Sequence, residues 1–377
     1  MAADLQPAVP RMGFLMNPLA TRRPYARQEA AIVSAASATR ALNELRTWPG
    51  YRVSRLWELP GMAQRFGVAS VICKDETQRF GLGSFKALGG AYAAGLALQR
   101  RTSARAAPTL CCATDGNHGR AVAHGARRHG CRCVVFVHEH ALESKLAPMR
   151  ELGAEVIRVA GNYDDSVDYA KRMAADNGWT LISDTSEDAS DPVAAEVMQG
   201  YGIMLLEIAD QLGSRWPTHV FVQAGVGGLA AAVAGCLADL AGAGRPSVIV
   251  VEPEAAACVM ASALHQGPMR IVGDLETRMA MLSCGEASAP AWAILKCRAD
   301  AFMTVSDRAA DGAVAAIAGS TDISGGLAVT PSAAAGLAGF MAAALDPMLA
   351  AQLALTSSSR VLFFATEGVE RAPGIGV

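Results

Sequence analysis

Few side chains in this sequence could act as a nucleophilic amine. Of its 33 basic residues, 28 are arginine and five are lysine, in a chain of 377 residues. Lys74 adjoins Asp75 and Glu76, which predict an ordinary ion pair. Three further lysines lie in polar amphipathic stretches typical of a surface: Lys145, Lys171 and Lys296. Lys86 opens an apolar stretch that continues to Gly90, so we expect burial to lower its pKa and make it reactive toward an aldehyde.

A glycine-rich segment indicates a site for an anion. It follows a predicted strand at 220–222 and opens an alanine-rich helix. Glycines let main-chain N–H groups converge on a phosphate, and the helix N-terminus adds about half a positive charge. The predicted phosphate loop comprises Gly225, Val226, Gly227, Gly228 and Leu229. Because position 230 is Ala and no Walker lysine follows, a dinucleotide fingerprint and a P-loop are not matched. A tight turn beneath a close-packed helix is the structural alternative.

Two further segments carry polar groups next to predicted strands. Residues 114–119, Thr-Asp-Gly-Asn-His-Gly, follow an apolar run, and their glycines allow a backbone that turns the Asn117 side chain onto a ligand. An Asx turn with a helix N-cap is equally consistent with this segment. Asp184 follows a predicted strand at 180–182, where it is either an N-cap beside Thr185 or a carboxylate aimed into a cleft.

Strand-sized apolar runs alternate with helical segments along the chain. Strands are predicted at 134–137, 156–159, 180–182, 220–222, 248–251 and 360–364, and helices at 142–152 and 163–177. This alternation predicts an α/β fold with mostly parallel sheets flanked by helices, and ligands at the carboxyl ends of the strands. At about 150 residues per domain, the length suggests two domains.

The composition argues against several classes of protein. A formal net charge of −2 lacks the positive footprint of a nucleic-acid binder. No secretory signal opens the chain and no stretch has about 18 strongly apolar residues, so we expect a cytoplasmic protein without membrane association. Nine cysteines and seven histidines match neither a disulfide scaffold nor a zinc spacing, so no metal site is predicted.

The three candidate segments together suit one cofactor. Pyridoxal phosphate needs a lysine that forms an imine, a partner for its ring hydroxyl and an anion site. The chain resembles the fold-type II (tryptophan synthase β-like) pyridoxal-phosphate enzymes, and among them most closely the diaminopropionate ammonia-lyases. The stretches that carry the resemblance are 48–51, 74–76, 85–90, 114–119, 162–165, 198–201, 223–227, 251–253, 284–286 and 366–368.

The resemblance implies an architecture and a set of roles. Residues 1–87 with 206–377 would form the large domain that binds pyridoxal phosphate, residues 88–205 would form a small mobile domain, and two chains would form a homodimer. Lys86 would bind the cofactor covalently, and Asn117 would contact its ring hydroxyl. Residues 225–229 would bind its phosphate, and Thr366 would face its pyridine nitrogen. Four residues would contact the amino-acid substrate: Thr114, Asp115, His118 and Asp184.

The resemblance also implies a reaction, the α,β-elimination of 2,3-diaminopropionate to pyruvate and ammonia. Lys86 would remove the Cα proton from the L-isomer, Asp115 would serve the D-isomer from the opposite face, and Asp184 would hold an ammonium group or assist proton transfer. A dehydratase or lyase acting on a β-hydroxy or other β-substituted amino acid is the alternative. A non-catalytic protein that binds pyridoxal phosphate is a third interpretation.

Several positions depart from the family pattern. Residues 186–190 stand where the family has an aromatic Trp-Glu-Gly-Tyr-like stretch, and residues 53–55 replace a Thr-Pro-Leu element. Residues 330–333, Thr-Pro-Ser-Ala, replace Glu-Ser-Gly-Ala, so a carboxylate that would favour an amino leaving group is missing. Cys258 and Cys284 occupy places where the family can carry a disulfide, although cytosolic thiols are normally reduced.

Overall fold

The structure, a computed structural model, describes residues 13–100, 108–114, 116–161 and 163–369, with side chains omitted at 163 and 164. The strands are β1 (Phe14–Met16), β2 (Arg55–Glu58), β3 (Ser70–Asp75), β4 (Thr109–Ala113), β5 (Arg132–His138), β6 (Glu155–Val159), β7 (Thr180–Leu181), β8 (His219–Gln223), β9 (Ser247–Pro253), β10 (Ala301–Val305) and β11 (Arg360–Ala365). All six predicted strands are present, and each is displaced by two residues or fewer at either end.

The helices fill the connections between strands. They are α1 (Arg27–Ile32), α2 (Ala35–Leu45), α3 (Pro60–Phe66), α4 (Lys86–Gln99), α5 (Asn117–Arg128), α6 (Glu143–Glu151), α7 (Tyr163–Asn177), α8 (Pro192–Tyr201), α9 (Ile203–Leu212), α10 (Gly228–Ala241), α11 (Cys258–Leu264), α12 (Ala289–Arg298), α13 (Asp307–Ala318), α14 (Pro331–Leu345) and α15 (Pro347–Gln352). None of the helices in the described ranges is long and apolar enough to cross a membrane.

Two sheets organise these elements. The larger sheet has the order β1-β10-β9-β8-β11-β3-β2, and the smaller sheet has the order β6-β5-β4-β7. The smaller sheet and the centre of the larger one are parallel, which confirms the predicted α/β class. Among the described strands, only the edge strands β1 and β2 pair antiparallel. Neither was predicted, because β1 has only three residues and the two apolar residues of β2 lie between charged ones.

The central strands of the larger sheet are buried on both faces. On β8, Val220 and Val222 pack in a core with α10, whereas Phe221 packs in a second core with α14. A Cβ added at Gly336 of α14 would lie 2.7 Å from the Phe221 carbonyl oxygen. This close approach of helix to sheet requires glycine and fixes α14 over the end of β8.

The smaller sheet is likewise covered on both faces, by α7 on one side and by α5 with α6 on the other. Helices α4 and α5 approach closely through small residues, since a Cβ added at Gly125 would lie 2.8 Å from the Ala94 Cβ. This contact holds the first residues of both helices, Lys86 and Asn117, at the same end of the packed pair.

Candidate functional site

One cavity opens at the carboxyl ends of strands from both sheets, namely β4, β8 and β11, where parallel sheets commonly bind ligands. Every predicted site residue in the described ranges lines this cavity: Lys86, Thr114, Asn117, His118, Asp184, Gly225, Val226, Gly227, Gly228, Leu229 and Thr366. Asp115 lies outside the described residues. The fold therefore brings together side chains that are far apart in the sequence.

Lys86, the first residue of α4, pairs its ammonium group with the Asp184 carboxylate. Burial disfavours the charged amine, but the carboxylate outweighs burial, and the pKa of Lys86 lies above its ordinary value. Burial acts on Asp184 in the opposite sense, yet Lys86 holds the pKa of this carboxyl below its ordinary value. The prediction of a lowered lysine pKa is therefore wrong, because a counter-ion 98 residues away adjoins the amine.

Asp184 does not cap a helix, since α8 begins at Pro192 and its N-cap is Asp191. The carboxylate instead reaches the cavity, where His118 is its second neighbour. His118 Nε2 lies 2.9 Å from the Ile182 carbonyl oxygen, which only accepts, so Nε2 carries the ring hydrogen. Consequently Nδ1 presents a lone pair, 3.9 Å from Asp184 Oδ2, and has no hydrogen-bond partner among the described residues.

Burial lowers the pKa of His118, with Asp184 opposing the shift, so the imidazole is neutral at neutral pH. The Lys86–Asp184 pair therefore has an uncharged proton acceptor beside it. Three ionisable groups of different protonation state thus meet at one edge of the cavity, an arrangement common where protons are transferred.

The segment at 114–119 makes its turn through Thr114. Thr114 Oγ1 accepts hydrogen bonds from the N–H groups of Gly116, at 3.0 Å, and Gly119, at 3.3 Å. Asn117 therefore does not form the Asx turn that was the alternative, and Gly116 stands at the N-cap of α5 without a side-chain cap. The amide of Asn117 is left to contact other groups.

That amide donates to the carboxylate of Glu367, which also accepts from the hydroxyl of Thr330. Glu367 is 5% exposed, lines the cavity and follows β11. Sequence reasoning did not select it, although its neighbour Thr366 and the shared stretch 366–368 pointed to this place. The Glu367 carboxylate thus contacts Thr330, the N-cap of α14, where the family element at 330–333 has lost its own carboxylate.

The glycine-rich loop fits both interpretations of its sequence. Gly227, at φ +93°, is the N-cap of the 14-residue helix α10 and provides no capping side chain. The first-turn N–H groups of α10 therefore have no cap, and the loop lines the cavity. The loop is also closely packed, because a Cβ added at Gly225 would lie 3.0 Å from Cys284 Sγ. Uncapped N–H groups at a helix N-terminus suit a phosphate.

Thr366 lies among neutral groups, in contrast to the positively polarised helix N-terminus at the glycine-rich loop. Gln223, the last residue of β8, donates its amide N–H to Thr366 Oγ1 at 2.8 Å. Both side chains are buried and both residues line the cavity. No charged side chain in the described ranges forms an ion pair or a hydrogen bond with either side chain.

Lys74 contradicts the prediction of a simple pair with its chain neighbours. Its ammonium group bonds to Glu207, at 2.8 Å, and to Gln211 Oε1, also at 2.8 Å. Arg79 bonds to both Glu76 and Glu207, each at 2.8 Å. We call Lys74, Glu76, Arg79 and Glu207 the buried quartet. Burial lowers the pKa of Lys74 even though Glu207 and Glu76 oppose the shift.

The buried quartet contacts the segment 53–55, which departs from the family pattern. Ser54 Oγ donates to Glu76 at 2.6 Å, and the Ser54 carbonyl oxygen accepts from Lys74 at 3.1 Å. Arg79 lies between β3 and α4, so the quartet ties the segment that precedes Lys86 to α9. Its charges balance one another, and no member lines the cavity.

Cys258 Sγ donates to the Gly225 carbonyl oxygen at 3.4 Å, and Cys284 Sγ lies where a Cβ on Gly225 would meet it, but no disulfide joins these two described residues. At 186–190 the polar chain replaces the family's aromatic stretch, and the Ser186 N–H donates to Ser288 Oγ at 3.2 Å. Within the described part of the chain, no group of three or more His, Cys, Asp or Glu side chains is placed to hold a metal ion.

The chain is similar in sequence to known enzymes that depend on pyridoxal phosphate. The sequence model of the family described as pyridoxal-phosphate dependent enzyme matches residues 47–367. A diaminopropionate ammonia-lyase of Salmonella typhimurium is 36% identical over 282 residues, covering 69% of this chain and 70% of the relative. A diaminopropionate ammonia-lyase of Escherichia coli strain K12 is 33% identical over 338 residues and covers 85% of each.

The fold is also similar to that of a solved structure of a diaminopropionate ammonia-lyase. A crystal structure of diaminopropionate ammonia-lyase from Escherichia coli, in complex with an aminoacrylate-PLP azomethine reaction intermediate, matches with a TM-score of 0.85. The match covers 95% of this chain and 94% of that chain, at 31% sequence identity. Both sheets and the cavity at their strand ends therefore belong to an architecture already seen with this cofactor bound.

Proposed function

The chain belongs to the family of pyridoxal-phosphate-dependent enzymes, and we propose that it catalyses the α,β-elimination of 2,3-diaminopropionate to pyruvate and ammonia. The observation that carries this proposal is the contact between Lys86 and Asp184 in a cavity that the uncapped N-terminus of α10 also lines. An amine, its proton partner and an anion site within one cavity are the parts that this chemistry requires.

The cofactor of the family is pyridoxal phosphate, and the residues present fit it. The N–H groups of residues 225–229 suit its phosphate, and the neutral hydroxyl of Thr366 suits its pyridine nitrogen. Asn117 keeps a second amide hydrogen for the ring oxygen, and Lys86 supplies the amine for covalent attachment. When bound, pyridoxal phosphate withdraws electrons from the Cα of an amino acid and acidifies its proton.

The ionisable groups of the cavity would then handle protons. Lys86 Nζ would release its proton to become nucleophilic and would later take the Cα proton of the L-isomer. Asp184 holds the amine in place through the ion pair, and His118 Nδ1 offers the adjacent site for a proton in transit. We propose that Asp115 serves the D-isomer from the opposite face.

We also propose that a small domain closes over the cavity during this reaction. Residues 88–205, which contain the smaller sheet, would move as a small domain against residues 1–87 and 206–377, and closure would exclude water from the cavity. We further propose that the enzyme is a cytoplasmic homodimer.

One observation favours a second candidate, the dehydration of a β-hydroxy amino acid. Thr330 stands where the family element has a carboxylate, and its hydroxyl contacts Glu367, which lines the cavity. Glu367, however, contacts Thr330 and keeps a negative charge nearby, which suits a cationic amino leaving group. We therefore rank the ammonia-lyase first and the dehydratase second.

A panel of β-substituted amino acids separates the candidates. Both enantiomers of 2,3-diaminopropionate and of serine, together with L-threonine, are incubated with holoenzyme, and keto-acid and ammonia release are measured. We expect diaminopropionate to give the highest kcat/KM. The same panel with Lys171→Ala, an exposed lysine outside the cavity, should match the wild type. Highest turnover with serine or threonine would favour the dehydratase, and no turnover with any substrate would contradict both.

A further inference from the structure

The amide of Gln223 has a more specific arrangement than simple packing requires. Its Nε2 lies 2.8 Å from Thr366 Oγ1 and 3.1 Å from the carbonyl oxygens of both Ala333 and Phe364. Its Oε1 is buried and has no hydrogen-bond partner among the described residues. Gln223 is 2% exposed. A buried amide with one saturated end and one unpartnered end suggests that its orientation serves the site.

The orientation of this amide follows from the chemistry of its neighbours. The carbonyl oxygens of Ala333 and Phe364 only accept hydrogen bonds, so the NH2 end must face them, and a flipped amide would place three oxygens together. The same NH2 end faces Thr366, so Thr366 Oγ1 accepts. The overlying helix restricts the other end, because a Cβ added at Gly336 would lie 3.0 Å from Gln223 Oε1.

The hydroxyl of Thr366 is therefore polarised in one direction. A hydroxyl has a single hydrogen, and with its oxygen accepting from Gln223, that hydrogen is left to point elsewhere. No hydrogen-bond acceptor for it appears within the described ranges, and Thr366 lines the cavity. The two amide hydrogens of Gln223 are shared among Thr366 Oγ1 and the carbonyl oxygens of Ala333 and Phe364.

We propose that Gln223 is a positioning residue that fixes the Thr366 hydroxyl as a hydrogen-bond donor toward the cavity, where it serves an unprotonated ring nitrogen of pyridoxal phosphate. This role rests on the proposed function, because it requires the cofactor ring to face Thr366. A ring nitrogen that accepts a hydrogen bond stays neutral, which weakens the ring as an electron sink and favours prompt loss of a β-substituent over a long-lived carbanion.

The test observes the ring nitrogen directly, by nitrogen-15 NMR of holoenzyme reconstituted with ring-labelled pyridoxal phosphate across a pH series. In the wild type we expect the signal of an unprotonated pyridine throughout the neutral range. In Gln223→Leu, Thr366 Oγ1 loses the N–H from which it accepts, so its lone pair becomes available to a ring N–H. The signal should then shift toward the pyridinium position as the pH falls.

Thr366→Val is the matched comparison, because it removes the donor without presenting a lone pair. Burial alone should keep the ring nitrogen unprotonated there, while the affinity for pyridoxal phosphate, measured by equilibrium dialysis, falls. Thr366→Ser should restore the wild-type signal and the affinity. A structural role for Gln223 alone would lower stability but would not separate Gln223→Leu from Thr366→Val in this way.

A pyridinium signal in the wild type at neutral pH overturns the role of Gln223, and so does a wild-type signal in folded Gln223→Leu. If Gln223→Leu does not fold by circular dichroism, Gln223→Met, which keeps the length without a donor, replaces it with the same two outcomes. Failure of the wild type to bind pyridoxal phosphate would instead overturn the proposed function. Binding and turnover with a protonated ring would leave that function intact and reject only the positioning role.

Discussion

Two lysines of this protein, one buried and one half-buried, lie in very different surroundings. Lys74 is fully enclosed in the buried quartet, where Glu207, Gln211 and a main-chain carbonyl oxygen accept its hydrogens. Lys86 has one carboxylate partner, Asp184, its side chain is 23% exposed, and a cavity opens beside it. Both amines are removed from bulk water, yet only Lys86 has space in which a second molecule could meet it.

A reactive lysine is identified by the free volume beside its amine and by neighbours with unsatisfied hydrogen bonds, more than by its pKa. The pKa of Lys74 is lowered by burial, which on that criterion alone would make Lys74 the better nucleophile. The pKa of Lys86 is raised, because Asp184 outweighs burial. A lysine held in a saturated network stabilises the fold, and one held by a single displaceable partner is available for chemistry.

The largest effect should come from Lys86→Ala. Because this variant removes both the attachment point and a proton carrier, we expect kcat/KM to fall by about 10³-fold or more, and the visible absorbance of the bound cofactor to disappear. Activity assays and absorbance spectra check this, with Lys171→Ala as the control lysine. Persistence of the absorbance band in Lys86→Ala would make another lysine the attachment site.

Lys74→Met should reverse the pattern, with a large effect on stability and a small one on chemistry. Removing one member of a buried ion-pair network costs about 3–5 kcal/mol, and Arg79 remains to pair with Glu207, so we expect about 3 kcal/mol. Urea unfolding of the holoenzyme measures the loss. The folded fraction should retain its cofactor absorbance, whereas an unchanged stability would show that the quartet is not the stabilising network described.

Asp184→Asn should change the difference between Lys86 and Lys74, because it removes the partner that raises the pKa of Lys86. Burial then dominates, the pKa of Lys86 should fall, and the apoenzyme amine should react with an acylating reagent at lower pH than in the wild type. The rate of Lys86 modification against pH, followed by peptide mass spectrometry, measures this. Catalysis should fall by about 10²–10⁴-fold, since a proton partner is lost. An unchanged pH profile would argue against the ion pair.

The same variant tests the pH dependence of stability. The pKa of Asp184 is lowered in the folded state, so ionisation of this carboxyl stabilises the fold above the ordinary carboxyl pKa, near 4. That contribution to stability is lost as the pH falls toward the pKa of Asp184 in the folded protein. The stability advantage of the wild type over Asp184→Asn should therefore be present at pH 6 and shrink below about pH 4 in urea titrations.

The smallest expected effect is that of Gln211→Leu, which removes one neutral hydrogen-bond acceptor of Lys74. Glu207 and the Ser54 carbonyl oxygen still accept from the ammonium group, so we expect a loss of about 1 kcal/mol in the free energy of unfolding. Activity should match the wild type, because Gln211 does not line the cavity. A loss of activity at unchanged stability would link the quartet to catalysis.

Local sequence patterns predicted much of the fold and the candidate site. Apolar runs located the central strands β5, β8, β9 and β11, because buried parallel strands are apolar along their whole length, whereas the central strands β3, β4 and β10 were not predicted. Glycine spacing located the loop at 225–229 and the turn at 114–119. The residues around Lys86 distinguished it from the four other lysines, and the structure brings it to the cavity.

The features that sequence did not predict depend on contacts between distant segments. The Asp184 partner of Lys86 and the Glu207 partner of Lys74 have no signature in spacing. Asp184 reversed the expected shift in the pKa of Lys86, and Glu207 makes Lys74 part of a buried network in place of a simple pair. Gln223 and Glu367 were visible only as neighbours of selected residues, since their roles depend on which atoms face them.

We propose that Lys86, rather than the more deeply buried Lys74, forms the covalent link to pyridoxal phosphate. Borohydride reduction of the holoenzyme makes this link permanent, and peptide mass spectrometry locates the modified lysine. We predict a single pyridoxyl group on Lys86 and none on Lys74. Modification of Lys74, or of any lysine while Lys86 stays unmodified, would contradict the assignment.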